Sequence, residues 1–194
     1  MLKFKGKFLV KLLLSQKRWS ILLGLVIVML IQQIQTGRNT MMFTEILQPG
    51  CVKVPVDSTD KKSVIIELVN LVDQNTRGLV LDKQAVLDAV LQREEARSTG
   101  IGSGIAIPHG KCMAIKELTM AIGVAKTPIE FGSVDGKGVK LLILLLSPSD
   151  QTGPHIQALA KISRLMLDNG FKEKLERAAT AEEAYKLISK REVH

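Results

Sequence analysis

From residue 43 onward, apolar positions recur in two rhythms. Phe43 to Leu47 reads as a short helical turn, followed by Pro49-Gly50 and a short strand, Cys51 to Val56. Asp57, Ser58, Thr59 and Asp60 offer side-chain oxygens to cap a helix. Val64, Leu68, Leu71 and Val72, widened by Ile65, Ile66 and Val69, then fall at helical spacing, with a stop expected between Asn75 and Gly78. Asp82 can cap a second helix whose apolar face is Val86, Leu87, Val90 and Leu91 and whose end, residues 92–97, is polar. Leu118 to Lys126 reads as a strand. Val139 to Leu146 is almost wholly apolar, as a strand buried on both faces requires. Residues 134–138 between these two strands have hairpin-turn chemistry. Ser147 to Asp150 ends the second strand. A helix from Pro154 turns Ala158, Leu159, Ile162, Leu165 and Met166 inward and closes at Asn169-Gly170. Thr180 and Glu183 form a capping box for a last helix with Ala184, Leu187 and Ile188 inside. Helices and strands alternate, which predicts a single α/β domain: a mixed β-sheet flanked by helices on both faces.

Between the second helix and the first long strand lies STGIGSGIAIPHG, Ser98 to Gly110. It is not a P-loop, because Gly104 is one residue too far from Gly110-Lys111 and Cys112 stands where Ser or Thr belongs. Nor is it a dinucleotide fingerprint or a nucleophile elbow: Ile107 replaces the third glycine of the first, and Ile101 precedes Ser103 in the second. Read as one extended segment, it puts Ile101, Ser103, Ile105 and Ile107 on one face and Gly102, Gly104, Ala106 and Pro108 on the other. The second face is nearly bare backbone. Pro108 holds Ile107 extended and should end the strand there, presenting His109 beside Gly110 and Lys111. The neutral form of an imidazole in that position is well populated near pH 7 and can attack a phosphoryl group. Such a reaction needs the other ring nitrogen oriented, and cationic or amide donors for the phosphoryl oxygens. Arg93, with its planar fork, and His155, in the first turn of a helix, are the candidates.

Charge changes the picture at one end only. The formal net charge is +8, but residues 1–40 hold seven of the 27 bases and none of the 19 acids, so the rest holds 20 bases against 19 acids. A basic nucleic-acid footprint disappears once this leader is set aside. With five Phe, one Trp and one Tyr, the chain also lacks the aromatics of a base-stacking platform. Within the leader, Trp19 to Ile31 runs thirteen residues without a charge after six bases. That is shorter than the roughly twenty apolar residues of a spanning helix. Three readings stand open for residues 1–40: an upstream extension absent from the native protein, with translation starting at Met41-Met42; an anchor or interfacial helix; or a cleaved signal. The rest, residues 41–190, is then the working domain. Two cysteines, Cys51 and Cys112, exclude a disulfide scaffold and suit a reducing compartment.

The stretch E-x-x-x-x-x-x-I-G-x-x-I-A-I-P-H-G, from Glu94 to Gly110, resembles the phosphohistidine signature of type-2 enzyme IIA domains of the bacterial phosphotransferase system. STGIGSGIAIPHGK, Ser98 to Lys111, is most similar to the nitrogen-regulatory branch of that fructose/mannitol class. The resemblance runs from about Phe43 to Ile188 and includes Arg93 and the SPSDQTGPHIQALA segment with His155. It implies a mixed sheet between helices and a phosphocarrier. By this resemblance His109 takes a phosphoryl group on Nε2 from the phosphohistidine of HPr or its nitrogen-type paralogue, with Arg93 and His155 supporting it. The group then passes to an enzyme IIB domain in sugar transport, or switches docking to regulatory target proteins. A non-catalytic binding module controlled by phosphorylation is the reading from a different class. No cofactor or metal is expected: His109, Cys112 and His155 could supply ligands, but no close metal-binding pair such as C-x-x-C or H-E-x-x-H exists. Cytoplasmic donors imply a cytoplasmic domain, with membrane contact only through residues 1–40. Glu94 and Glu95 read as surface charges.

Overall fold

The structure is a computed structural model that describes residues 42–192; the expectations for residues 1–40 lie outside them. A single turn, α1 (Phe43–Ile46), leads into β1 (Leu47–Lys53). Helices α2 (Lys61–Asn75) and α3 (Lys83–Ala96) follow. Next come three short strands, β2 (Gly100–Gly102), β3 (Ile105–Ala106) and β4 (His109–Lys111), and two long ones, β5 (Thr119–Ile129) and β6 (Val139–Ser147). Helices α4 (Thr152–Met166), α5 (Asn169–Glu176) and α6 (Ala181–Glu192) complete the described residues.

Local chemistry sets the helix starts. Asp60 accepts from Ser63 N at 3.0 Å and Asp82 from Ala85 N at 3.1 Å, each satisfying a first-turn amide. For α6, Thr180 Oγ1 accepts from Glu183 N, while Glu183 reaches back to Ala179 N, one residue beyond the position a capping box uses. Asn169-Gly170 does not close α4. That helix ends at Met166, and Asp168 caps a separate helix by accepting from Phe171 N. The competing N-cap aspartate, one residue upstream, overrides the Asn-Gly stop signal.

The sheet runs in the order β1-β5-β6-β3-β2, with β4 also paired to β6. It is mixed: β5 is antiparallel to β6 and parallel to β1, whereas β3 and β4 both run parallel to β6. β6 is therefore central, and every residue from Leu141 to Ser147 is buried. Pro49-Gly50 does not precede a strand but lies within β1, where the pairing register with β5 is interrupted between Leu47 and Val52. A proline that cannot donate is tolerated on such an edge strand.

Two layers of helix cover the sheet. On one face β5 presents small residues: a Cβ on Gly123 would meet Val56 at 2.7 Å and Leu68 of α2 at 3.2 Å. Ala121 and Ala125 alternate with the large residues of the opposite face. There Met120, Ile122 and Ile143 line one apolar space with Ile162 of α4 and Ile188 of α6. Small-against-helix on one side and large-against-helix on the other lets both layers reach close packing.

The segment from Ile101 to Ile107 is not one extended strand. β2 and β3 form an antiparallel hairpin whose tip holds three consecutive positive φ angles, at Gly102 (91°), Ser103 (55°) and Gly104 (79°). Both glycines occupy left-handed backbone that a side chain disfavours. The turn reverses the chain, so Ile101 is 45% exposed while Ile105, Ala106 and Ile107 are buried. Asp135 holds the tip by accepting from Ser103 N at 2.8 Å.

Candidate functional site

The chain does not leave the sheet at Pro108. The Pro108 carbonyl accepts from Leu145 N, and β4 resumes the ladder with His109 opposite Leu145 and Lys111 opposite Ser147. Gly110 between them faces α3, where a Cβ would come within 2.9 Å of Val90 Cγ2 and 3.1 Å of its backbone nitrogen. Glycine is thus what lets α3 lie against β4. By alternation along the strand, His109 and Lys111 point away from α3.

His109 is half-buried. Its Nδ1 lies 2.7 Å from the Ile107 carbonyl oxygen. A carbonyl only accepts, so Nδ1 carries the ring hydrogen and neutral Nε2 keeps its lone pair. Burial lowers the His109 pKa below the ordinary imidazole value; the Ile107 bond opposes this, and the Arg93 charge adds to it. The neutral ring is therefore favoured at pH 7.

His155 sits in the first turn of α4, as its position after the turn of residues 148–151 predicts. It is 5% exposed, and its ring centroid is 5.5 Å from that of His109, with the planes tilted by 54°. Its Nδ1 is 2.8 Å from the hydroxyl of Ser147, the last residue of β6. Burial, followed by repulsion from His109 when it is protonated and from Lys111, pushes the His155 pKa down to about 4. Both imidazoles are neutral at pH 7, and each has one nitrogen fixed by a neighbour.

Arg93 lies in the last turn of α3, where its Nη1 donates to the Arg97 carbonyl at 2.9 Å. It satisfies an end-of-helix carbonyl, and its charge still reaches His109. The structure thus brings His109 and His155 together directly, with Arg93 acting on His109 through its field. Lys111 acts in the same way on His155, and its Nζ donates to Thr152 Oγ1 at 3.2 Å.

Glu94 is not a surface charge, although Glu95 is exposed. It is 6% exposed and accepts from Thr99 N, Thr99 Oγ1 and Lys61 Nζ. This carboxylate ties the end of α3 to the first residues before β2. Its partners lie five and 33 residues away, so the adjacent charged run hides it. Ser147 and Lys111 were likewise not singled out for the site. The two-residue period from His109 marks Lys111, whereas nothing local marks Ser147.

Comparison with known proteins places the chain. Residues 45–191 match the family model described as "Phosphoenolpyruvate-dependent sugar phosphotransferase system, EIIA 2". The chain is 36% identical over 155 residues to a nitrogen regulatory protein of Escherichia coli, covering 78% of this chain and 91% of that one. It is 32% identical over 149 residues to the "PTS system fructose-specific EIIABC component" of Bacillus subtilis, covering 77% of this chain but spanning only 23% of that protein. Among solved structures, the nitrogen regulatory protein IIA-Ntr of Neisseria meningitidis superposes with a TM-score of 0.68 at 31% identity, over 74% of this chain and 97% of that one. Sequence and fold converge: the chain belongs to the type-2 enzyme IIA family of the phosphoenolpyruvate-dependent phosphotransferase system.

Proposed function

We propose that the chain is a phosphocarrier that accepts a phosphoryl group on His109 Nε2 from an HPr-type phosphohistidine, with a regulatory output of the nitrogen type. The observation that carries this reading is the Nδ1–H of His109 bonded to the Ile107 carbonyl, which leaves Nε2 an unprotonated nucleophile at neutral pH. In the step, the P–N bond to the donor breaks as the P–N bond to His109 Nε2 forms. The Nδ1 proton stays where it is, and nothing is oxidised or reduced. His155 donates a hydrogen bond to a phosphoryl oxygen, and the Arg93 guanidinium offsets its negative charge.

The regulatory output is favoured by likeness along nearly the whole length of nitrogen regulatory relatives, against a small part of the fructose-specific one. Phosphorylation adds about 1.5–2 negative charges. Met113, just beyond Lys111, and Ile156, beside His155, are exposed apolar residues whose fitness for a partner changes with that charge. The natural donor is HPr or a nitrogen-type paralogue in the cytoplasm, and the recipient is a regulatory target or a IIB domain. Among the described residues no helix is long and apolar enough to cross a membrane.

Incubation with phosphorylated HPr-type donors of both kinds tests the reading. We expect an acid-labile, base-stable label, faster from the nitrogen-type donor and abolished by His109→Ala. Labelling that persists in His109→Ala refutes the acceptor. Faster labelling from the sugar-type donor, with onward transfer to a IIB domain, replaces the regulatory reading by the transport one.

A further inference from the structure

We infer that Ser147 is a positioning residue: its hydroxyl donates to His155 Nδ1 and so holds that ring as the Nε2–H tautomer, the form that can donate to a phosphoryl oxygen on His109. The inference rests on the phosphocarrier reading for its purpose, but its geometry stands alone.

A hydroxyl can donate or accept, so the 2.8 Å contact between Ser147 Oγ and His155 Nδ1 does not by itself say which atom holds the hydrogen. Two features decide it. First, Ser147 is fully buried, and among the described residues His155 Nδ1 is the only hydrogen-bond partner of its Oγ. Were Nδ1 the donor, the hydroxyl hydrogen would be left buried without an acceptor, which is unfavourable. Donation by the hydroxyl uses that hydrogen and moves the ring hydrogen to Nε2, which among the described residues is not one of the fully buried atoms without a partner. Second, the neighbour 5.5 Å away, His109, presents an unprotonated Nε2. If His155 were also unprotonated at Nε2, a phosphoryl group arriving between the rings would meet lone pairs from both. With Ser147 as donor the rings take complementary tautomers: His109 is Nδ1–H with a nucleophilic Nε2, and His155 is Nε2–H with an accepting Nδ1.

The backbone explains why a serine can do this. Ser147 ends β6 opposite Lys111, and its carbonyl accepts from Cys112 N at 3.0 Å. That bond and the β4 ladder fix Ser147, while the turn of residues 148–151 fixes the start of α4 and hence His155. The same short connection that joins strand to helix sets the tautomer.

The full chain labelled with 15N-histidine provides the test, since only three histidines contribute signals. At pH 7 wild-type His155 should show a protonated Nε2 and an unprotonated Nδ1. In Ser147→Ala the Nδ1–H form should appear, and phosphoryl acceptance should slow roughly 10- to 100-fold. A wild-type His155 that is Nδ1–H overturns the inference. So does a folded Ser147→Ala protein, judged by an unchanged amide spectrum away from the site, with wild-type tautomer and rate. If Ser147→Ala does not fold, the wild-type nitrogen shifts still decide. They need no phosphodonor, so a wild-type chain that took no phosphoryl group would sink the phosphocarrier reading and leave the tautomer assignment to stand or fall by itself.

Discussion

At the scale of single residues, the site depends on keeping two imidazoles neutral by different means. His109 is oriented by a carbonyl and half-shielded; His155 is buried against a hydroxyl. The neutral form of His109 persists below the ordinary histidine pKa, so its phosphoryl acceptance should hold as pH falls through 6.5 and decline only at lower pH. A rate–pH profile with its acid limb at or above 6.5 would contradict the burial argument. Arg93→Ala should slow acceptance by roughly 100-fold, with the melting temperature little changed, because the side chain is partly exposed and its hydrogen bond serves only a helix end. An unchanged rate would return Arg93 to a purely helix-capping role. His109 and Arg93 could be singled out as candidates from the sequence because a long motif and the arginine just before it lie at short range. Ser147 and Glu94 could not, because their contacts exist only once strand, turn and helix have met.

At the scale of elements, glycine positions connect sequence to geometry, and one pattern of glycines can serve two geometries. The bare face expected along residues 101–108 assumed a continuous strand. A run of alternating glycines looks the same whether it serves a pleat or a left-handed turn, and the positive φ angles at Gly102, Ser103 and Gly104 show the turn. Gly110, in contrast, is needed for close approach. Gly110→Ala should force β4 and α3 apart, costing about 1–3 kcal/mol and slowing phosphotransfer as His109 moves. Denaturant unfolding together with the transfer assay checks this; a variant with unchanged stability and rate would mean the helix yields freely. Glu94→Ala should cost about 2–3 kcal/mol, since it strands buried donors at Thr99. The helix caps at Asp60 and Asp82 and the buried β6 were legible from their own residues. The N-cap at Asp168 is masked in the sequence because the Asn-Gly after it carries the opposite signal.

At the scale of the whole molecule, acid stability should fall in two steps. His155 is held neutral in the fold but protonates near 6.5 when unfolded, so the unfolded chain binds the extra proton between pH 6.5 and about 4. Stability is therefore full above 6.5 and falls as pH drops through that window, by up to ~3 kcal/mol. Glu67 accepts from Asp57 N and Ser58 N and pairs with Lys53, which outweighs its own burial and lowers its pKa to about 2. Its contribution is present above about 4.5 and is lost between there and about 2. Unfolding free energy measured against pH should show a smaller upper step in His155→Gln, with His109 supplying what remains, and a smaller lower step in Glu67→Gln. Coincident curves for wild type and either variant would remove that group from the account. The mixed sheet and its two helical layers were legible from alternating periodicities, because burial on two faces imposes them. The pairing of β4 beyond Pro108 was not, since a three-residue strand has too little pattern to show.

The most direct test of the central claim is heteronuclear NMR on 15N-histidine-labelled protein after incubation with a phosphorylated HPr-type donor. The account predicts 31P coupling to Nε2 of His109, with the Nδ1–H resonance retained. Coupling to His109 Nδ1, coupling to His155, or no phosphorus on any histidine would contradict it.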